Sequence, residues 1–298
     1  MKIVEFDIKN VPFQEKEISL CLGYFDGVHL GHQSIIKEAL NEGYPVGVLS
    51  FDNSPSYILG QRGNQELTSI ADKADILEDL GVKFLFIMHF DQSTLNVTKD
   101  EFIKEVLMKL GARKIFCGED YRFGTRGEGN PEYLSKFFEV TTVPTIEFGG
   151  NKVSSSQIRD FISNGDIKSA NRFLGRPYEI VGMVVDGKHN GRTIGFPTAN
   201  VDLDANYVFP REGVYMGYSK IMGRKYKAMI SVSTHPTINQ LLDPIIEVHL
   251  IGLNEDLYGK TIYVDFIDYI RDIITFDSLD ELKEQLEIDK DKVKTTLQ

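Results

Sequence analysis

Cysteine is nearly absent: of 298 residues only Cys21 and Cys117 carry thiols, both inside apolar, strand-like stretches. That excludes a disulfide framework and makes a reducing compartment, the cytoplasm, the expected home. Long apolar runs are missing too. None approaches the roughly 18 residues of a membrane span, so no membrane partner is expected. The opening MKIVEFDIKN contains acidic residues and no unbroken apolar stretch, so it does not read as a signal peptide. Positive charge is also short: 33 Lys+Arg face 44 Asp+Glu, a net charge of −11. This argues against a nucleic-acid binder that neutralises phosphates over a broad surface. It does not touch nucleotides, which a glycine-rich loop can hold by backbone N–H groups. What remains is the balance of a soluble globular protein, 42% apolar and 26% charged, with length enough for two domains.

The first half alternates strands and helices. Apolar runs at Ile18–Tyr24, Val46–Phe51, Lys83–Met88 and Lys114–Cys117 predict four strands, and Val140–Ile146 a fifth. Between them, Gln33–Leu40, Ala71–Leu80 and Lys99–Leu110 carry apolar residues at helical spacing. This pattern predicts βαβ units and a doubly wound parallel sheet, whose ligands bind beyond the carboxyl ends of the strands. Near residue 175 the pattern changes. NRFLGRPY (171–178) reads as a hinge, and strands follow at Tyr178–Val185, Gly213–Ile221, Lys225–Val232, Ile245–Ile251 and Lys260–Tyr269. These predict an all-β barrel or sandwich. From Asp277 a helix is expected, capped by Asp277 or Ser278, with Leu279, Leu282 and Leu286 as its apolar stripe. The expected domains are 1–175 and 176–298.

Gly23-Tyr24-Phe25-Asp26-Gly27-Val28-His29-Leu30-Gly31-His32-Gln33 lies between the first of these strands and the first helix. Gly23 and Gly27 permit a tight turn, and Gly31 permits close approach to a ligand. His29 and His32 share one face at the positive end of a helix. There they can donate to phosphates and stabilise charge at an attacked α-phosphate. The plainer reading is a capping histidine beside a surface histidine.

HxGH in this setting resembles the nucleotidylyltransferase superfamily, and GYFDGVHLGHQ its bacterial FAD synthetase branch. Ser154-Ser155-Ser156-Gln157-Ile158-Arg159 resembles that family's phosphate-binding motif. Ser155, Ser156 and Arg159 would then clamp phosphates, against an ordinary Ser N-cap with a solvated Arg. Gly118-Glu119-Asp120-Tyr121-Arg122-Phe123-Gly124 resembles the family's loop after the fourth strand. The resemblance puts Asp120 and Phe123, with Gly23, Phe25, Asp26, Gly27 and Gly31, at the flavin and nucleotide cleft. For Asp120 an Asx-turn is the rival. One segment departs: Phe51-Asp52-Asn53-Ser54-Pro55 stands where the family usually has a Pro-His-Pro-like run.

In the second half, Gly191-Arg192-Thr193-Ile194-Gly195-Phe196-Pro197-Thr198-Ala199-Asn200 places Thr198 and Asn200 on one strand face. A hydroxyl and an amide there suit Mg²⁺ and phosphate oxygens, although polar residues on an alternating strand often just face water. Glu247 and His249 share a face of a later strand. GRTIGFPTAN is very similar to the riboflavin kinase signature. The resemblance makes Glu247 the general base and gives nucleotide and flavin contacts to Gly191, Arg192, Gly195, Pro197, Thr198, Asn200 and Arg271, with Thr198 and Asn200 on Mg²⁺. Ile273 stands where that family usually has Glu.

The resemblance covers almost the whole chain and is to the bacterial bifunctional riboflavin kinase/FAD synthetases. It implies riboflavin, FMN and ATP as ligands, with Mg²⁺, and two ATP-dependent transfers. His29, His32 and Arg159 would serve adenylyl transfer and Glu247 phosphoryl transfer. Two rivals stand beside it: a kinase whose nucleotidylyltransferase domain is weakened or regulatory, and a flavin-binding regulator without turnover. The oligomeric state stays open.

Overall fold

A computed structural model describes residues 1–61, 63–186, 195–236 and 242–297, with the backbone alone at 235–236 and 242–244. The chain forms two compact units, Met1–Ser155 and Ser156–Gln298.

The first unit is built on a six-stranded parallel sheet. In chain order its elements are β1 (Lys2–Phe6), β2 (Ile18–Leu22), α1 (Leu30–Leu40), β3 (Val46–Phe51), α2 (Pro55–Ile58), α3 (Ile70–Asp79) and β4 (Phe84–Met88). Then come α4 (Lys99–Glu101), running on as a π-helix over Phe102–Leu107, β5 (Ala112–Gly118), α5 (Pro131–Leu134) and β6 (Glu139–Val143). A two-stranded ribbon, β7 (Glu147–Phe148) and β8 (Asn151–Lys152), follows. The strand order is β1-β4-β3-β2-β5-β6, every pair parallel.

Strands β2 to β4 are nearly unbroken apolar runs because both faces are covered. Side chains alternate between the faces. Leu20, Leu22, Leu49, Phe86 and Ile115 pack with Phe102, Val106 and Leu110 on one side. Cys21, Val48, Leu85 and Phe116 pack with Ile36, Ala74 and Leu77 on the other. The sequence pattern missed β1, which makes six strands rather than five. Lys2–Phe6 is an edge strand with only Phe6 buried, so it lacks the apolar run that marks the central strands.

Next along the chain come α6 (Ser155–Ser163), which belongs to the second unit from Ser156 on, and α7 (Ile167–Leu174). The strands of the second unit are β9 (Tyr178–Val185), β10 (Ala199–Leu203), β11 (Gly213–Ile221), β12 (Arg224–Pro236), β13 (Leu242–Leu250) and β14 (Thr261–Arg271). They close an antiparallel barrel in the order β10-β13-β12-β11-β14-β9, and β9 pairs back with β10. Closure leaves no free edge among the described barrel strands. Tyr178, Tyr215 and Phe266 are fully buried among these strands.

The last helix, α8 (Leu279–Thr296), is capped by Ser278, whose hydroxyl accepts from the Glu281 N–H. Its buried face differs from the expected stripe. Leu279 is 64% exposed, whereas Val293 and Leu297 pack on Phe196, Met216 and Met229, with Leu286 beside them.

The expected hinge at 171–178 is an anchored helix end. Gly175 caps α7 in the left-handed conformation, φ 74°. The Asn171 side chain donates to the Phe266 carbonyl (2.8 Å) and accepts from the Tyr178 N–H (2.7 Å). Ile167, Ala170, Phe173 and Leu174 are buried. A fragment starting at Asp166, the α7 cap, should therefore fold cooperatively. A fragment 176–298 should lose at least ~5 kcal/mol, from the burial of three large side chains. Denaturant titration of the two fragments checks this; equal midpoints would contradict it.

Candidate active sites

In a doubly wound sheet the ligand crevice lies where the strand order reverses, outside the carboxyl ends. Here the chain runs outward from β2 through β3 and β4, then returns to place β5 on the other side of β2. The loops after β2 and β5 therefore flank the crevice, and both were singled out from the sequence.

The loop after β2 is strained and clamped. Phe25 (φ 53°) and Val28 (φ 38°) adopt left-handed conformations although neither is glycine, and Gly27 does so at φ 76°. For a β-branched valine this is a genuine outlier, the kind of strain that clusters at functional sites. The buried Asp26 carboxylate accepts from the Leu67 N–H (2.8 Å), and the Gly27 N–H donates to Thr68 Oγ1 (3.1 Å). This clamping accounts for Asp26 without a ligand. The Gln33 side chain holds the Val28 carbonyl (2.8 Å), and Ser155 Oγ donates to the Asp26 carbonyl (2.9 Å).

His29 is the N-cap of α1, its Nδ1 accepting from the His32 N–H (3.4 Å). With Nδ1 accepting, a neutral His29 carries its proton on Nε2. The two imidazoles stack, 3.7 Å between centroids, and Phe25 lies against His32 at 4.9 Å. A Cβ on Gly31 would come within 3.1 Å of the His29 ring, so this glycine makes room for the histidine as well as for a ligand. At Gly23 a Cβ would meet the Phe25 ring at 3.0 Å.

After β5, Asp120 pairs with Lys152 (2.6 Å), and that contact holds its carboxyl below the usual range. The Phe123 ring is buried against Phe102 and Tyr121, and its backbone bridges to Gly129. The divergent 52–55 segment is firmly built. Asp52 takes the Phe90 N–H (2.8 Å) and the His89 ring, the Asn53 amide reaches the Phe90 carbonyl (3.4 Å), and Ser54 starts α2. Asp52 holds His89 above the usual imidazole range.

Ser156 and Arg159 follow Ser155 along α6 and belong to the second unit.

In the barrel, β10 pairs with β13 so that Asn200 stands directly opposite Glu247. Directly paired residues project to the same face, so amide and carboxylate are neighbours. No described residue donates to the half-buried Glu247 carboxylate, which is left able to accept. Thr198 is exposed just before β10, while Ala199 and Val201 turn inward. Pro197, Thr198 and Ala199 line a shallow cleft with Asn254, Asp256 and Tyr258. His249 Nδ1 donates to the Pro197 carbonyl (2.8 Å), and its ring packs on Phe196 (5.1 Å). Burial keeps this imidazole below its ordinary range. Gly195 is described, with φ 84°; Gly191 and Arg192 lie outside the described residues.

Arg271 is occupied elsewhere. Its guanidinium grips the buried Asp289 of α8, Nε to Oδ2 at 2.9 Å and Nη2 to Oδ2 at 2.7 Å, and so latches the helix.

The sequence reading missed one residue at these sites and gave a second, His249, no task. Lys73 is buried on α3, with Nζ on the Tyr24 carbonyl and on Ser50 Oγ, both at 3.0 Å. The signal was there: with Leu77 and Leu80 it lies at i, i+4, i+7, a lysine on an apolar stripe. His249 had been placed on the Glu247 face without its task of fixing Pro197.

Residues 12–157 match the family model "FAD synthetase" and residues 174–297 the model "Riboflavin kinase". A Bacillus subtilis bifunctional riboflavin kinase/FMN adenylyltransferase is 35% identical over 283 residues, 91% of this chain and 90% of its own. The Haemophilus influenzae protein of the same name is 34% identical over 288 residues, 93% of each chain. A Streptococcus pneumoniae crystal structure, described as a macrolide-efflux protein, superposes with a TM-score of 0.92 at 33% identity over 99% of both chains. Among the described residues of the present chain, no helix is long and apolar enough to cross a membrane. The two motif sets, in this order and on these two folds, place the chain in the bifunctional riboflavin kinase/FMN adenylyltransferase family.

Proposed function

We propose that the chain phosphorylates riboflavin in its barrel and adenylylates FMN at the loop after β2, in the cytoplasm, where two buried thiols stay reduced. The functional boundary is put at 175/176, with α7 as structural support for the barrel. In the first step Glu247 accepts the proton of the riboflavin 5′-hydroxyl as the oxygen attacks the γ-phosphorus of ATP. FMN and ADP are formed, and the carboxylate returns its proton to solvent. In the second step an FMN phosphate oxygen attacks the α-phosphorus of another ATP, and the bond to pyrophosphate breaks. His29 and His32 donate to the oxygens that gain charge, with Ser155 holding the phosphates. Gly23, Phe25, Asp26, Gly27 and Gly31 shape that loop, and Asp120 serves it from the loop after β5. No covalent enzyme intermediate is needed.

The observation that carries this reading is the stacked His29–His32 pair at the start of α1, behind a strained loop at the sheet's switch point.

The residues of the barrel fit Mg²⁺. Asn200 offers a hard oxygen across from Glu247 and Thr198 another just before β10, and no group of three or more His, Cys, Asp or Glu suited to a closed cage exists among the described residues. Mg²⁺ is commonly held by few protein ligands plus substrate phosphates. When bound it would neutralise phosphate charge, with Thr198 and Asn200 as its protein ligands. Gly191, Arg192, Gly195 and Pro197 would frame the nucleotide, and Arg271 would hold α8 in place.

Thr198→Ala should raise the Mg²⁺ concentration for half-maximal FMN formation by about tenfold, the worth of one ligand at roughly 1.4 kcal/mol. An unchanged Mg²⁺ dependence would remove Thr198 from the metal.

A further inference from the structure

Lys73 has no place in the chemistry above, yet its side chain is costly to bury. It is 3% exposed, and no carboxylate among the described residues comes within ion-pairing distance. Its partners are two neutral oxygens, and its ammonium lies 4.6 Å from the centroid of the Tyr24 ring. Burial pushes the ammonium towards neutrality; Asp26 and Glu66 oppose this from a distance. A buried charge without a counter-ion is poor evidence of stabilisation, and an apolar side chain would suit the stripe better. Nor is Lys73 needed to satisfy its partners. Ser50 Oγ already donates to the same Tyr24 carbonyl at 2.7 Å.

The cation's effect falls on one peptide. A trans peptide is planar, so fixing the Tyr24 carbonyl also fixes the Phe25 N–H, which points the opposite way. That N–H donates to no described residue, and Phe25 is the first left-handed residue of the strained turn before His29. A cation on the carbonyl also strengthens the N–H as a donor, because hydrogen bonds in a chain polarise one another.

We propose that Lys73 is a positioning residue for adenylyl transfer, its ammonium locking the Tyr24–Phe25 peptide and with it the turn that presents the two histidines. This rests on the assignment of the loop after β2 to the adenylyl site.

The test uses the full chain with Lys73→Met and, as a second variant, Lys73→Gln. Either should lower kcat for FAD formation from FMN by about 100-fold, the cost of groups displaced by an ångström, with little change in KM. FMN formation from riboflavin should not change. The melting temperature should stay within about 3 °C of the parent chain or rise, whereas a structural lysine would lower it further. FAD formation within threefold of the parent in both variants overturns the proposal. So does a loss of rate that tracks a loss of stability in both, including failure to fold. His29→Ala run in parallel separates the two claims: if it also forms FAD normally, the site assignment fails; if it does not, only Lys73 is dismissed.

Discussion

Glu247→Gln should lower FMN formation from riboflavin by about 10²–10⁴-fold, the usual contribution of a general base, and leave FAD formation from FMN nearly unchanged. The size follows from the task. The riboflavin hydroxyl must lose its proton as it attacks, and an amide cannot accept it. The selectivity follows from the architecture. Glu247 lies within the barrel strand β13, paired with Asn200 and Ser231, while the histidine pair sits on the parallel sheet of the other unit. Glutamine keeps the shape and half-buried position of the side chain, so the melting temperature should hold within about 2–4 °C, a change of roughly 1 kcal/mol or less. Separate initial-rate assays with riboflavin and with FMN check both halves. Equal loss of the two activities would mean that Glu247 acts through folding.

His29→Ala should do the reverse, lowering FAD formation by about 10²–10³-fold, as for the loss of one donor to developing oxyanion charge, with FMN formation intact. The alanine variant also removes the α1 cap and one ring of the stack, which costs about 0.5–2 kcal/mol. His29→Asn separates these effects. Asparagine caps a helix well but brings no imidazole, so it should restore stability without restoring FAD formation. An asparagine variant as active as the parent would reduce His29 to a cap.

Much of this was legible in the sequence, for physical reasons. Strands β2 to β5 and the barrel strands announced themselves because burial on one or both faces writes apolar runs and alternation. The HxGH loop and the 195–200 run were visible because tight turns need glycine and proline at fixed places. β1 was not visible, since an edge strand with one buried residue carries little pattern. The 171–178 stretch looked like a hinge because Gly and Pro punctuate linkers and helix ends alike; only the Asn171 contacts distinguish them. A motif gives the residue but not its neighbours: the packing of Phe123 on Phe102 and the grip of Arg271 on Asp289 join distant parts of the chain. Lys73 and His249 act through carbonyl groups of distant loops, contacts that no local pattern encodes.

The central claim is that one chain holds two separate transfer sites. It is tested most directly by a crossed assay in which Glu247→Gln and His29→Asn are each supplied with riboflavin and with FMN, in the presence of Mg²⁺ and ATP, and FMN and FAD are resolved over time. The expected result is a crossed pattern: Glu247→Gln makes FAD only from FMN, and His29→Asn turns riboflavin into FMN and stops there. Parallel loss of both products in either variant, or FAD formed at the parent rate by both, would contradict it.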